Sequence, residues 1–575
     1  EQTVLRMLVD RITQVQAPPV RPVWLPPLPE ALSMDGYAGG ADPADPDRPG
    51  DVKALLGLHD KPREQAQEPI TWDLTGSAAN LMIFGAPVSG KSTLLRTLVS
   101  SLALRYPPGQ IACYCIDYGG GALTPLSELP HVAAVAPRSD PELVARTLAD
   151  VKHLLDVRET AMRDHRLDSA DRLRHARAQG RIPAEIAGDV VLIIDGWGAL
   201  RDSDESMELE DMLMEISGRG PALGVHTVIT AVNSVQVRSR VSASFGGRIE
   251  LKLTDPFDSG IDRKTAESLP KDVPGRALLS DEMFGHVALP RIDGKTDIDD
   301  LPDAMAALTR EVNKRWEVAA VPPVRVLPHL VTLDELVPPA VPQERDDFAM
   351  APVVGVSERD LGSARIDFDV DPHLVILGDP QTGKSTCLRT IMRQLTRRPS
   401  SEVGISLVDL RRTHLEEVPP EYLLTYNTSV AHAAQNAHEL ANSLKERMPG
   451  PDVTPRQLRE RSWWTGLEVF VVVDDYDMVV TSQGNPLMPL LELLPQGRDL
   501  GFHLILARRT GGAARAMFEP ILQSVTDSAA PGLMFSGDRM EGRLINGTVP
   551  RQLPPGRALL TRRGEPVEPV QVATS

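Results

Sequence analysis

The sequence predicts an α/β fold of two tandem domains, each a mainly parallel, doubly wound sheet around a phosphate-binding loop. Three observations predict it. Two segments read almost alike, LMIFGAPVSGKSTLLRTL at Leu81–Leu98 and LVILGDPQTGKSTCLRTI at Leu374–Ile391. After each, apolar strand-like runs alternate with long charged stretches of helical character, the pattern of strand–helix–strand crossovers. The 575 residues are also too many for one hydrophobic core.

The same elements follow in the same order in both copies. A Pro-rich stretch opens each, APPVRPVWLPPLPE at Ala17–Glu30 and VPPVRVLPHL at Val321–Leu330, with further prolines to Pro352. Its recurrence favours an ordered preface to each domain over a stiff linker, and it sets the domains at 1–320 and 321–575.

Next, an apolar strand runs into G-x-x-x-x-G-K-S and then into a helix, which is the P-loop. The glycines let the backbone curl so that its N–H groups face the phosphates, and the helix N-terminus adds partial positive charge. The expected nucleotide-binding residues of the first copy are Gly85, Ala86, Pro87, Val88, Ser89, Gly90, Lys91, Ser92 and Thr93. Those of the second are Gly378, Asp379, Pro380, Gln381, Thr382, Gly383, Lys384, Ser385 and Thr386. Lys91 and Lys384 reach toward the β/γ-phosphates of ATP, and Ser92 and Ser385 are placed to hold Mg²⁺. Along the helix Leu95, Leu98 and Leu102 make an apolar stripe, and adding 293 gives Leu388, Ile391 and Leu395.

The strands that follow end in acids. CYCIDYGGG (Asp117) matches ISLVDLRRT (Asp409), and VVLIIDGW (Asp195) matches VFVVVDDYD (Asp474). An apolar strand ending in Asp is the Walker B partner of a P-loop, so Asp195 and Asp474 join the serines as the expected Mg²⁺ residues. Hydrolysis also needs a group that orients or deprotonates water. At the position after the Asp, one copy has Gly196 and the other Asp475. The first site is therefore expected to bind ATP·Mg²⁺ and turn it over poorly. Asp475 is the candidate catalytic residue of the second, against the alternative that it opens a solvated turn with Asp477.

LGVHTVIT (His226) and LGFHLILA (His503) come next, and these histidines read as hydrogen-bonded fold elements rather than catalytic bases. Thr230 and Asn233 stand where γ-phosphate sensors would, a neighbourhood taken by Arg508 and Arg509 in the second copy. Arg238, Arg240 and Arg248 are candidates for arginine fingers, which usually act on a neighbouring subunit. Each copy closes on a glycine–arginine turn and a strand, VPGRALL at Val273–Leu279 and PPGRALL at Pro554–Leu560.

Composition narrows the function classes. A net charge of −18 argues against a surface built for a polyanion, and no nucleic-acid partner is expected. The longest apolar runs are about five residues, far short of a membrane span. Three cysteines with no Cys/His cluster argue against a disulfide framework or a zinc site. Cys113 and Cys115 alternate along a strand and read as small buried residues.

The order of these landmarks resembles the FtsK/SpoIIIE class of P-loop motors, with FtsK/RecA-like domains. More narrowly, it resembles the second and third ATPase domains of the EccC ATPases of type VII (ESX) secretion. The carrying segments are VWLPPLPE, FGAPVSGKSTLL, CYCIDYGGGAL, LPHVAAVA, VLIIDGW, PPVRVLP, RSWWTG (Arg461–Gly466) and VVVDDYD, spread over nearly the whole chain. The resemblance implies ATP and Mg²⁺ as cofactors and a cytoplasmic location at the inner face of the plasma membrane. It implies a homo-hexameric secretion motor that engages Esx/WXG100 and PE/PPE substrates through C-terminal signals, docked by the third domain, here 321–575. It places a membrane-anchored portion with a first ATPase domain upstream, in the same or a separate chain. A start at Glu1 rather than Met fits an excised or processed piece of that system. Trp463 and Trp464 are open to two readings, substrate contact or burial beside the Walker B strand. Rival functions are an FtsK-like DNA translocase, a tandem ABC-type ATPase that lacks its LSGGQ signature, and a catalytically dead ATP-binding scaffold.

Overall fold

The computed structural model describes residues 3–13, 25–45, 50–183, 188–201, 206–337, 350–482 and 484–574. Ala17–Trp24 of the first Pro-rich stretch, and the second stretch's later prolines between 338 and 349, lie outside the described residues. The chain divides into two compact units, Glu1–Val326 and Leu327–Ser575.

The first unit carries strands β1 (Lys53–Lys61), β2 (Ala66–Asp73), β3 (Leu81–Phe84), β4 (Ile111–Asp117), β5 (Val132–Pro137), β6 (Asp189–Asp195), β7 (Val225–Ala231), β8 (Gly247–Leu251), β9 (Arg276–Leu279) and β10 (Phe284–Val287). They form a ten-stranded sheet in the order β2-β1-β10-β9-β8-β3-β7-β6-β4-β5. The second unit carries β11 (Val353–Ser357), β12 (Ser363–Arg365), β13 (His373–Leu377), β14 (Val403–Val408), β15 (Leu423–Asn427), β16 (Glu468–Val473), β17 (Phe502–Arg508), β18 (Gly532–Met534), β19 (Arg557–Thr561) and β20 (Glu568–Val572). Its order, β12-β11-β20-β19-β18-β13-β17-β16-β14-β15, is the first with ten added to every label.

Each sheet has two parts. From β8 to β5, and from β18 to β15, all neighbours are parallel. Beyond β8 and β18 the pairing turns antiparallel through β9, β10, β1 and β2 and their counterparts. Of this antiparallel wing the sequence expectation held only the strand after each glycine–arginine turn, β9 and β19; the others carry no crossover helix to announce them.

The parallel block is covered on both faces, which is why β4, β6 and β7 are buried along their entire length and read as unbroken apolar runs. On one face lie the P-loop helix Lys91–Arg105, through Leu94, Leu95, Leu98 and Leu102, and the helix Leu301–Arg315, through Met305, Leu308 and Val312. On the other lie Pro141–Asp164 and Ser206–Arg219. Each buried leucine contributes about 1.5–3 kcal/mol. The second unit repeats the arrangement, with Leu388, Ile391 and Leu395 of the helix Lys384–Leu395 under one face. Cys113, Cys115 and Cys387 are buried and unpaired, as packing residues are.

The described part of the segment joining the copies follows a defined path. Val321 and Val324 donate backbone N–H groups to Pro130 and Ala133, which runs the chain along the outer edge of β5. Leu327, Val331 and Leu333 pack with Val356 and Ala573 of the second unit.

At the end of the sheet where the Walker B strands begin, the copies share a buried ionic tie that sequence reading did not assemble. His226 Nε2 lies 2.9 Å from Asp189 Oδ1, and Arg174 pairs with the same carboxylate at 2.6 Å. In the second copy His503 Nε2 lies 3.0 Å from Glu468 Oε2, and Arg461 meets the other oxygen at 3.0 Å. Both histidines are fold elements, as expected. Among the described residues no helix is long and apolar enough to cross a membrane.

Burial alone would raise the Asp189 carboxyl, but hydrogen bonds from His226 and Arg174 and the Arg174 charge hold it well below the usual range. Glu468 is likewise depressed against its burial, by His503 and Arg461. A depressed folded value means the unfolded chain binds the proton more readily. The stabilisation is therefore present above the unfolded carboxylate value of about 4 and is lost as pH falls through and below it. Urea melts between pH 7 and 3 are expected to show falling stability below about pH 4.5, and Asp189→Asn to flatten that slope for the first unit.

Candidate functional site

Both P-loops join the carboxyl end of a central strand to the N-terminus of a helix, at the edge where β6 ends in Asp195 and β16 runs into Asp474. The cradle is closed by contacts that explain its sequence. Gly90 and Gly383, at φ of +105° and +120°, begin the two helices in a conformation that disfavours a side chain. Val88 and Gln381, at φ of +62° and +64°, occupy the matching tip position of each loop.

The PGRALL motif has a role that its sequence did not reveal. The Gly275 N–H donates to Ser89 O, and the Gly556 N–H to Thr382 O, each at 2.9 Å. The next residue, Arg276, reaches Leu28 O and Pro29 O at 3.2 and 2.9 Å, and Arg557 reaches Leu327 O and Pro328 O. The turn therefore clamps the P-loop on one side and the Pro-rich preface on the other, in both copies.

The lysines lie folded onto their own loops. Lys91 Nζ donates to Gly85 O at 2.6 Å and Ala86 O at 2.9 Å, and Lys384 Nζ to Asp379 O at 2.8 Å. Burial lowers both from the ordinary lysine value, opposed by Asp195 in the first copy and chiefly by Asp474 and Asp475 in the second. An incoming phosphate exchanges these neutral acceptors for charged ones, a stronger bond.

The serine and aspartate of each pair meet. Ser92 Oγ donates to Asp195 Oδ2 at 2.7 Å, and Ser385 Oγ to Asp474 Oδ2 at 2.6 Å. Both carboxylates are about 2% exposed. These are hard oxygen donors at one point beside the cradle, which suits Mg²⁺. Thr230 Oγ1 donates to Asp195 Oδ1 at 2.5 Å and accepts from the Gly196 N–H at 2.9 Å, so it touches the Walker B carboxylate directly. Asn233 instead caps its own turn and bonds Asp258.

Around Asp474 the partners differ. Burial would raise it, but hydrogen bonds from His414, at 2.8 Å, and Ser385 hold it below the usual value. His414 was missed in the sequence; the only signal was RRTH in one copy where GGGA stands in the other. Asp117 and Asp409 tie the loops that follow them, Asp117 to the N–H groups of Gly119 and Leu123, Asp409 to that of His414.

Asp475 adopts φ 50°, ψ 50°, and its carboxylate pairs with Arg411 at 2.9 Å. Burial and the Asp474 charge raise it, against the pull of Arg411. At Gly196, φ is +83° and an added Cβ would lie 3.1 Å from Tyr118 C and 3.2 Å from Gly119 N. A carboxylate residue is therefore both strained and crowded there.

The arginines are engaged elsewhere. Arg508 alternates with Ala507 along β17; Ala507 packs with the P-loop helix, and Arg508 is charge-coupled to Glu519 and Tyr476. Arg509 pairs with Asp477 at 2.6 Å. Arg238 and Arg240 pair with Glu210, and Arg248 with Glu250. Trp463 and Trp464 are half-buried, with indole N–H groups on Arg447 O and Asp499 O and the Arg447 guanidinium 4.4 Å from the Trp464 ring centre.

Two strand–P-loop–helix units, each with a buried Ser–Asp pair, define a tandem P-loop ATPase. The FtsK/SpoIIIE family model matches residues 56–293 and 358–459. The ESX-4 secretion system protein EccC4 of Mycobacterium tuberculosis is 41% identical over 574 residues, covering 100% of this chain and 44% of its own length. The ESX-1 secretion system protein EccCb1 of the same organism is 35% identical over 97% of this chain and 94% of its own length. A solved structure of ATPases 2 and 3 of Thermomonospora curvata EccC, in complex with a signal sequence peptide, aligns with TM-score 0.77 at 38% identity, covering 96% of this chain and 97% of that one. The chain belongs to the FtsK/SpoIIIE family, among the EccC ATPases of type VII secretion. It spans less than half the length of the first curated relatives, 44% and 42%.

Gly119 has no room for a side chain, since an added Cβ would clash with Asp195 Oδ2 and lie 2.9 Å from its Cγ. Gly119→Ala is expected to displace Asp195 and weaken ATP·Mg²⁺ binding at the first site about tenfold, roughly 1.4 kcal/mol, by calorimetry on the Lys384→Ala chain.

Proposed function

We propose that this chain is the ATP-binding cytosolic part of a type VII secretion motor, which recognises C-terminal export signals of Esx/WXG100-type substrates and regulates or drives their secretion. The observation that carries the reading is the near end-to-end likeness to the EccC ATPase pair solved with a signal sequence peptide, joined to two P-loops whose Ser–Asp pairs are intact. PE/PPE proteins are further candidate substrates. The upstream membrane-anchored portion is the proposed partner, and supplies the contact with the inner face of the plasma membrane. The assembled machine is proposed to be a homo-hexamer.

In each unit the loop N–H groups and the lysine would bind the triphosphate; Ser92 with Asp195 would hold Mg²⁺, and Ser385 with Asp474 form the matching pair of the second copy. The metal, when bound, would screen the charge of the phosphates. At the position after the Walker B aspartate the first unit has Gly196, with no side chain to take a proton from water and a tight fit for any added one. In the second, Asp475 is the proposed base, raised by burial and held by Arg411. Hydrolysis is accordingly weak, and the nucleotide acts mainly by favouring the conformation that binds it better.

Export-signal docking is assigned to the second domain, expected at 321–575 and compact over Leu327–Ser575. In the first unit the β5 edge is occupied by Val321 and Val324. Among the described residues the matching β15 edge has no strand beyond it, and Leu424 on it is 44% exposed.

Lys91→Ala and Lys384→Ala are each expected to remove one of two nucleotide-binding events, weakening that site about 100-fold, the ~3 kcal/mol of a lost charge-assisted contact; titration with a fluorescent ATP analogue checks this. Pull-down of Esx-type heterodimers should depend on their C-terminal tails and be lost in Leu424→Asp. Capture that ignores the tail would refute signal recognition.

A further inference from the structure

The Walker B aspartates are tied from opposite sides in the two copies. In the first, Asp195 Oδ1 accepts from Thr230 and Oδ2 from Ser92. Among the described residues each oxygen receives one side-chain hydrogen bond, leaving a lone pair for a metal-bound water. The loop beside it, Gly119-Gly120-Gly121, has no side chain to add another.

In the second copy Ala507 stands where Thr230 stands in the first, so the tie across β17 is gone. The replacement comes from the loop after β14. His414 Nε2 lies 2.8 Å from Asp474 Oδ2, the same oxygen that accepts Ser385 Oγ at 2.6 Å. Thr413 Oγ1 approaches that oxygen at 3.4 Å, and the other oxygen accepts the Asp475 N–H at 2.9 Å. An ionised carboxylate can only accept, so Nε2 donates. Both lone pairs of Oδ2 are thereby taken, at the same oxygen that accepts the Ser385 hydroxyl. The imidazole is wholly buried, and its backbone N–H is anchored to Asp409 Oδ2 at 2.7 Å. Asp409 is held in turn by the Tyr426 hydroxyl at 3.1 Å.

We propose that His414 is a positioning residue that latches Asp474 away from Mg²⁺, so that the second P-loop takes nucleotide with little gain from the metal while the first takes the Mg²⁺ complex. The proposal rests on the nucleotide-binding reading of both loops and assigns them different ligands, free nucleotide and its metal complex.

The test measures binding of a fluorescent ATP analogue to the full chain in Mg²⁺ and in EDTA, with Lys91→Ala isolating the second pocket. Affinity in the two conditions is expected to agree within about twofold, and adding His414→Ala to make Mg²⁺ tighten binding about tenfold. His414→Gln, which keeps an N–H donor at similar reach, should restore indifference to the metal, a split that a merely fold-supporting residue would not produce. Lys384→Ala, isolating the first pocket, should show the Mg²⁺ dependence throughout. If His414→Ala does not fold, the Lys91→Ala measurement decides, because the latch requires metal indifference there. A strong Mg²⁺ dependence in Lys91→Ala that neither His414 variant alters overturns the latch and leaves nucleotide binding standing. No binding by Lys91→Ala in either condition overturns the nucleotide reading of the second pocket and the latch with it.

Discussion

One hydrogen bond organises each half of the molecule, the serine hydroxyl at the start of the P-loop helix donating to the aspartate at the end of the neighbouring core strand. It spans 103 residues of sequence in the first copy and 89 in the second. It can form only if the P-loop strand and the Walker B strand run parallel with one strand between them, so that both end at one edge. The crossover helices, the burial of both sheet faces and the register of β3, β7 and β6 all serve that meeting. A buried carboxylate without such donors would pay the desolvation of its charge uncompensated.

Around this shared bond the two copies have diverged in what surrounds the carboxylate. One surrounds it with small residues, Gly119 and Gly196, and a threonine. The other surrounds it with Arg411, Thr413, His414 and Asp475. The first environment is spare and leaves oxygen capacity open; the second is crowded with competing donors and charges. Duplication preserved the frame while the side chains around the two carboxylates diverged.

Much of this was legible before any coordinates. The P-loops, the helix stripes, the terminal aspartates and the role of the histidines follow from local spacing and periodicity, and local spacing is what a sequence displays. His414 was not legible, because its meaning lies in a carboxylate 60 residues away and in the loss of a hydroxyl at Ala507. The antiparallel wing was hidden for another reason. Beyond the strand of the PGRALL motif, β10 is four residues long and too short to show a period. The Pro-rich preface was visible as a repeat, yet its purpose needed Arg276 and Arg557, which bind it from the far end of each copy.

In each copy the first strand of the sheet is hydrogen-bonded to the last, β1 to β10 and β11 to β20. Beginning and end of a copy are thus neighbours on one flank, and the parallel block hangs between them like a closed loop. Such a cassette can be copied in tandem without cutting through any sheet, since the new junction falls where the old termini already lay together. The same closure has a kinetic cost. The wing cannot be completed until the final strand has been synthesised, so each copy gains its full sheet late, through contacts distant in sequence.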